Sequence, residues 1–220
     1  MKLYDEDGKT VVVRRVGFVG SGMYGRVYKT SDLKCLKLYR RGIELDPDTN
    51  ILIKNLELDN FCKIYKILFD EKGRYKGNLM EYYQKEKVDV LTLPSEYLLD
   101  NLRGLAASVL KLLDNKVFIS DMNFDNAIIN ENEIRVIDTD LYVRREEYKD
   151  DVLYRYGVSS LQGLMLSIYL DSLRKYHSSS RIVDDEIAIE RLFETPFDVN
   201  HTSKKLVRCK YPIDYVMKCR

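Results

Sequence analysis

The sequence predicts an α+β protein, with strands gathered in its first part and helices in its second. Three observations lead there. Up to about residue 84, short β-branched and aromatic runs alternate with turn residues. From Asn101 onward the apolar residues fall mostly at helical spacing. Between these patterns, Ile119 to Asp140 (ISDMNFDNAIINENEIRVIDTD) holds two short apolar runs, each beside acidic residues. At 220 residues the chain is long enough for one domain or two small, tightly joined parts, read here as 1–84 and 85–220.

Val11–Val13 and Val16–Val19 are β-branched and predict strand, broken at Arg14-Arg15. Gly20-Ser21-Gly22-Met23-Tyr24-Gly25 follows. A dinucleotide-binding glycine turn of this spacing needs a helix directly after its last glycine. Here Arg26-Val27-Tyr28 favours strand and Ser31-Asp32 favours a turn, so the glycines form the tip of a hairpin flap. Glycines allow backbone to approach a phosphate closely; the plainer reading is a hairpin turn without a ligand. Lys34–Tyr39 is the next strand and carries Lys37 between Leu36 and Leu38.

Asp46-Pro47-Asp48 predicts a helix start, with Asp46 as cap and Pro47 at the first position. Ile51, Leu52, Leu56 and Leu58 would line its buried face. Lys63–Phe69 and Tyr75–Tyr83 predict two strands joined at Asp70–Arg74, and Lys85–Thr92 reads as a linker. Pro94-Ser95 opens a short helix. Asn101–Asn115 is a buried helix, with Leu102, Leu105, Ala106, Val109, Leu110, Leu112 and Leu113 on a broad apolar face. Val152–Leu173 predicts a long helix or a pair, Ser178–Ser180 a break, and Asp184–Phe193 another helix. The remainder is basic and irregular.

Composition excludes several functions. Net charge is +1, from 36 basic and 35 acidic residues, which gives no electrostatic reason to expect a nucleic acid or an anionic membrane as partner. No apolar run is long enough to span a bilayer. MKLYDEDGKT has no apolar signal core, so the expected location is the cytoplasm, or outside the cell by export without a cleaved signal peptide. Cys35, Cys62, Cys209 and Cys219 form no C-x-x-C pair and read as buried thiols. Nothing in the sequence sets an oligomeric state.

The chemistry concentrates around Ile119–Asp140. Ala127–Ile129 and Ile134–Ile137 predict a hairpin folded at Asn130–Glu133. Folding it brings Asp138 towards Asn126 and Asp121. Those oxygens suit a hard cation such as Mg²⁺ that is shared with phosphate. The plainer reading is a set of turn carboxylates on a small hairpin.

Asp121-Met-Asn-Phe-Asp-Asn126 resembles the catalytic loop of protein kinases, and Val136-Ile137-Asp138-Thr139-Asp140 looks like their D-F-G segment. Gly20-x-Gly22-x-x-Gly25-x-Val27 and Lys37 stand in the order of the kinase glycine loop and strand lysine. This resemblance to the protein kinase-like superfamily implies a β-rich N-lobe, a shortened helical C-lobe and ATP with Mg²⁺ as cofactors. It implies that Gly20, Ser21, Gly22, Met23, Tyr24, Gly25, Val27 and Lys37 hold phosphates. Met80 would be the gatekeeper, with the Glu81–Tyr83 backbone on adenine. Asn126 and Asp138 would hold the metal. Asp121 would be the base, with Asn123 beside it where many Ser/Thr kinases carry a lysine.

Other positions depart from the pattern. Thr49 stands at the place of the helix glutamate, with Asp48 or Glu44 as substitutes. Ile119-Ser120 replaces H-R, Asp140 replaces the last glycine of D-F-G, and no A-P-E follows. The resemblance implies a minimal Ser/Thr-type protein kinase, of the kind found in bacteria, their effectors and large viruses, acting on a protein substrate. Its alternatives are a pseudokinase binding module and a small-molecule kinase of the aminoglycoside-phosphotransferase type. The chain lacks the large helical insert that the latter carry.

Overall fold

The β-branched runs of the first part do form strands, and they join in one sheet. The computed structural model describes residues 2–43, 45–176 and 182–219. The strands are β1 (Leu3–Tyr4), β2 (Thr10–Val11), β3 (Arg15–Ser21), β4 (Gly25–Thr30), β5 (Lys34–Tyr39), β6 (Ile64–Phe69) and β7 (Tyr75–Glu81). Their order is β2-β1-β6-β7-β5-β4-β3, antiparallel throughout. Leu3, Leu36, Leu68 and Leu79 form an apolar cluster, with Val11, Val13, Tyr28 and Leu38 packed against it. Val12, expected in a strand, falls after β2 and is almost fully exposed.

Asp70 makes the β6–β7 turn. Its Oδ1 accepts the amides of Lys72 (2.9 Å) and Arg74 (3.0 Å), and Gly73 takes φ +71°. The helix between β5 and β6 is α1 (Asp48–Asn55), and Asp46 Oδ1 accepts the Asp48 amide at 3.0 Å. Its buried face differs from the sequence expectation. Thr49, Asn50 and Ile53 are buried, whereas Ile51, Leu52, Leu56 and Leu58 are only partly covered. A polar network explains the choice. Asn50 Nδ2 donates to Tyr75 Oη (3.2 Å), Tyr75 Oη donates to Asn78 Oδ1 (2.7 Å), and Asn78 Nδ2 donates to Tyr39 Oη (3.3 Å). Buried polar groups require such partners, so Asn50 turns towards the network.

The chain divides into two compact units, 1–57 with 62–84, and 58–61 with 85–220. In the second, α2 (Ser95–Asp114) is one 20-residue helix that absorbs both the short helix expected at Pro94 and the run from Asn101. Its Leu102, Leu105, Val109 and Leu112 are fully buried, while Leu110, expected inside, is partly exposed. Each such buried leucine contributes about 1.5–3 kcal/mol relative to exposure. Strand β8 (Val117–Phe118) pairs with β11 (Val143–Arg144), and β9 (Ala127–Ile129) pairs with β10 (Ile134–Val136).

Helix α3 (Asp150–Tyr176) is continuous over 27 residues. It packs against α2 and against α4 (Ile182–Leu192). The expected irregular tail instead contains α5 (Val199–Lys205) and α6 (Pro212–Lys218). The Asp198 carboxylate accepts the His201 amide at the start of α5, and the Asp214 carboxylate accepts the Tyr211 amide at the start of α6, signals too short to stand out in a basic stretch. The expected break at Ser178–Ser180 lies outside the described residues.

Residues 58–61 are held on α2. Asn60, in the left-handed region at φ +58°, donates from Nδ2 to Asn101 Oδ1 (2.7 Å) and to Ile134 O (2.8 Å). Asn101 Oδ1 also accepts the Ile134 amide at 2.6 Å. A Cβ on Gly104 would sit 1.9 Å from Asn60 Oδ1, so this close docking needs glycine there. Buried Asn101 thereby fixes the β9–β10 hairpin to α2. Among the described residues, no helix is long and apolar enough to cross a membrane.

Candidate active site

In the first unit, one row of paired residues crosses four strands: Gly20, Val27, Lys37 and Asn78. Residues directly opposite one another share a face. Asn78 points to the tyrosine network that reaches α1, so Lys37 lies on the α1 face of the sheet. Its side chain is buried. The glycine segment joins β3 to β4 as a hairpin, with the Gly22 amide on Gly25 O at 3.0 Å. Strand follows Gly25 directly, which excludes the strand-to-helix turn of a dinucleotide fingerprint. A Cβ on Gly25 would sit 2.7 Å from Leu38 O, so β4 and β5 close only around glycine. At Gly20 and Gly22 the same positions face open space, and the flap backbone is accessible there. The amides of Met23 and Tyr24 donate to no group among the described residues.

Met80 is buried next to Ile64. The Glu81 amide is committed to Lys63 O at 2.9 Å, and its carbonyl accepts the Cys62 thiol at 3.4 Å. Tyr83 lies just past the end of β7. Thr49 is buried on α1, where the resemblance expects a glutamate. A cavity of about 1010 Å³ is lined by Lys2, Tyr39, Arg41, Asp70 and Tyr75 among others, and by none of the site residues the sequence singles out.

In the second unit the structure brings Asp121, Asn123 and Asn126 into contact, with Asp138 on the adjoining strand end. Asn123 opens a one-turn 3-10 helix, Phe124–Asn126. Its Oδ1 accepts the amides of Asp125 (3.0 Å) and Asn126 (3.2 Å), and its Nδ2 donates to Asp121 Oδ1 at 2.6 Å. Asn126 Nδ2 donates to Asp121 Oδ2 (2.8 Å) and to Asp121 O (2.9 Å). Each carboxylate oxygen of Asp121 is thus held by a side-chain amide. Val136 pairs with Ala127, and the Ile137 amide donates to Asn126 O at 2.9 Å, so Asp138 comes one residue past the position opposite Asn126. Asp138 Oδ1 accepts the Asp140 amide at 3.1 Å.

The donor set fits a cation bound jointly with phosphate. Among the described residues there is no group of three or more His, Cys, Asp or Glu side chains that could hold a metal. Asn126 spends its amide nitrogen on Asp121, leaving its amide oxygen as the donor to a cation. Together with the Asp138 carboxylate this gives a sparse oxygen set, as Mg²⁺ takes when phosphates and waters complete its shell.

Sequence reasoning missed two supporting residues. Ser120 Oγ donates to Leu141 O and ties the loop to the segment after Asp138. Tyr142 is buried edge-on to Phe61, with ring centroids 6.5 Å apart, and its hydroxyl has no hydrogen-bond partner among the described residues. Burial raises its pKa far above the ordinary tyrosine range, and the charges of Asp138 and Asp121 act in the same direction. The phenol therefore stays protonated beside two carboxylates. Its spacing, four residues past Asp138, carries no sequence signal of that role.

Protein-family models give no match to the chain, and neither do curated proteins.

Proposed function

We propose that the protein is a kinase-like phosphotransferase that moves the γ-phosphoryl group of ATP to a hydroxyl of a protein, Ser or Thr rather than Tyr. One observation carries the reading: the Asp121 carboxylate held by Asn123 and Asn126, just before a hairpin whose return strand leads to Asp138 one residue past the position opposite Asn126. A turn carboxylate with only a structural task has no need of two side-chain amides, one on each oxygen. A general base does need such positioning.

Flap amides and Lys37 hold phosphates in this scheme, and Met80 to Tyr83 border the adenine. Asn126 and Asp138 would hold Mg²⁺, which supplies charge neutralisation at the phosphates when bound. Asp121 orients the acceptor hydroxyl and takes its proton as the new P–O bond forms and the bond to the ADP oxygen breaks. Asn123 fixes the carboxylate, with one N–H of its amide on Asp121. Its neutrality leaves phosphate charge to Lys37 and the cation.

A second reading, a pseudokinase that binds nucleotide without transfer, draws on α1. Thr49 and Asn50 occupy its buried face, and neither is a carboxylate. Thermal unfolding with ATP and Mg²⁺ tests the binding that both readings share. Melting temperature rises with the pair of ligands together, and Asp138→Asn removes most of the rise. An unchanged rise in that variant contradicts the metal assignment.

A further inference from the structure

The flap of the first unit is rich in glycine, and such a hairpin tip is entropically loose unless something holds it. Arg40, just past the end of β5, supplies three bonds to it. Its amide donates to Tyr24 O at 2.8 Å. Its Nη2 donates to Ser21 Oγ and to Gly22 O, each at 3.0 Å. Side-chain and backbone bonds from one residue thus grip both arms of the tip. The backbone bond extends the β4–β5 ladder. The guanidinium bonds lie outside any ladder and exist only because an arginine stands at this position.

The placement has a consequence for charge. Asp32, Asp5, Glu6 and Asp70 of this unit are each paired to a lysine or arginine. No carboxylate pairs with Arg40 among the described residues; its acceptors are a hydroxyl and a carbonyl. A full positive charge therefore stands at the flap tip, next to the open amides of Met23 and Tyr24. Successive amides beside a fixed cation form a surface that favours phosphate.

We propose that Arg40 is a positioning residue that latches the glycine flap in the conformation that receives the nucleotide's phosphates. The proposal rests on the phosphotransferase reading for its ligand, and on the flap geometry alone for the latch. It assigns Arg40 a role through the flap, distinct from the buried Lys37.

Two measurements on Arg40→Ala test it, and the first needs no nucleotide. Hydrogen exchange of the free protein reads the Gly22 amide, which is protected by Gly25 O in the latched tip. Loss of the guanidinium raises its exchange about tenfold, while amides of β6 and β7 keep wild-type protection. Steady-state kinetics then show KM for ATP raised roughly 3–10-fold, with kcat changed less than about twofold. Arg40→Lys keeps a charged donor without the planar fork and recovers part of both effects. Unchanged Gly22 protection in Arg40→Ala overturns the latch. Faster exchange throughout the sheet also overturns it, since the residue then serves general stability. Raised Gly22 exchange with an unchanged KM overturns the link to phosphate. A wild-type protein that neither binds nor hydrolyses ATP refutes the phosphotransferase reading, and with it the phosphate role of the latch, while the exchange result still judges the latch itself.

Discussion

Asn123 shows how much one side chain can settle. Its oxygen caps the 3-10 turn and its nitrogen holds Asp121, so the same residue shapes the loop and aims its carboxylate. Asn123→Ala loses both. The expected cost is about 1 kcal/mol in stability from the cap and roughly 10–100-fold in turnover, with ATP affinity unchanged. Urea unfolding and steady-state kinetics separate the two, and full activity in this variant removes Asn123 from the site. The sequence marked this asparagine as a departure from a lysine, but not that its amide is spent on Asp121, because hydrogen-bond partners depend on the fold of the turn. Asp70, in the β6–β7 turn of the first unit, makes a comparable case. Burial alone would raise its pKa; bonds from Arg74 and from the amides of Arg74 and Lys72 outweigh it and bring the carboxyl to about 2. Its contribution to stability is therefore complete above the unfolded value of about 4 and is lost as pH falls through 2. Asp70→Asn should flatten the acid limb of the stability profile between those values. Urea midpoints measured across that range check it, and an identical limb in both proteins contradicts the assignment.

The element with most influence on the site is the β9–β10 hairpin, and its position depends on Asn101. That buried amide accepts from Asn60 and from the Ile134 amide, and donates to Tyr97 O at 2.7 Å. Asn101→Ala strands the buried Ile134 amide and takes one of two acceptors from the half-buried Asn60 amide, so a loss of about 1–3 kcal/mol is expected in denaturant unfolding. A loss below about 0.5 kcal/mol shows that water or a rearrangement replaces the bonds. Strands and hairpins were legible because alternation and turn residues are local signals: Lys34–Tyr39 forms β5 as predicted, and Asn130–Glu133 turns as predicted. In the short helix α1, hydrophobicity is a poor guide to the buried face. Tertiary hydrogen bonding instead turned Thr49 and Asn50 inwards. Neither the 58–61 segment on α2 nor the two C-terminal helices has a periodic pattern long enough to be read.

Across the whole molecule, the nearly neutral chain conceals an uneven distribution. The first unit has sixteen basic and eleven acidic residues, whereas acidic residues outnumber basic ones in the second. Order along the chain was the part of the candidate site most open to sequence reading: flap, strand lysine, loop aspartate and hairpin aspartate. What could not be read was the support each one receives, because Arg40, Ser120, Asn101 and Tyr142 act through contacts that no spacing encodes. The most direct test of the account is phosphoryl transfer from γ-labelled ATP with Mg²⁺ into proteins of a whole-cell lysate, comparing wild type with Asp121→Asn. The account predicts labelled protein bands with wild type, and label reduced by about two or more orders of magnitude with Asp121→Asn, at similar affinity for ATP. Equal labelling by both proteins, or ATP binding with no labelled acceptor from wild type, contradicts it.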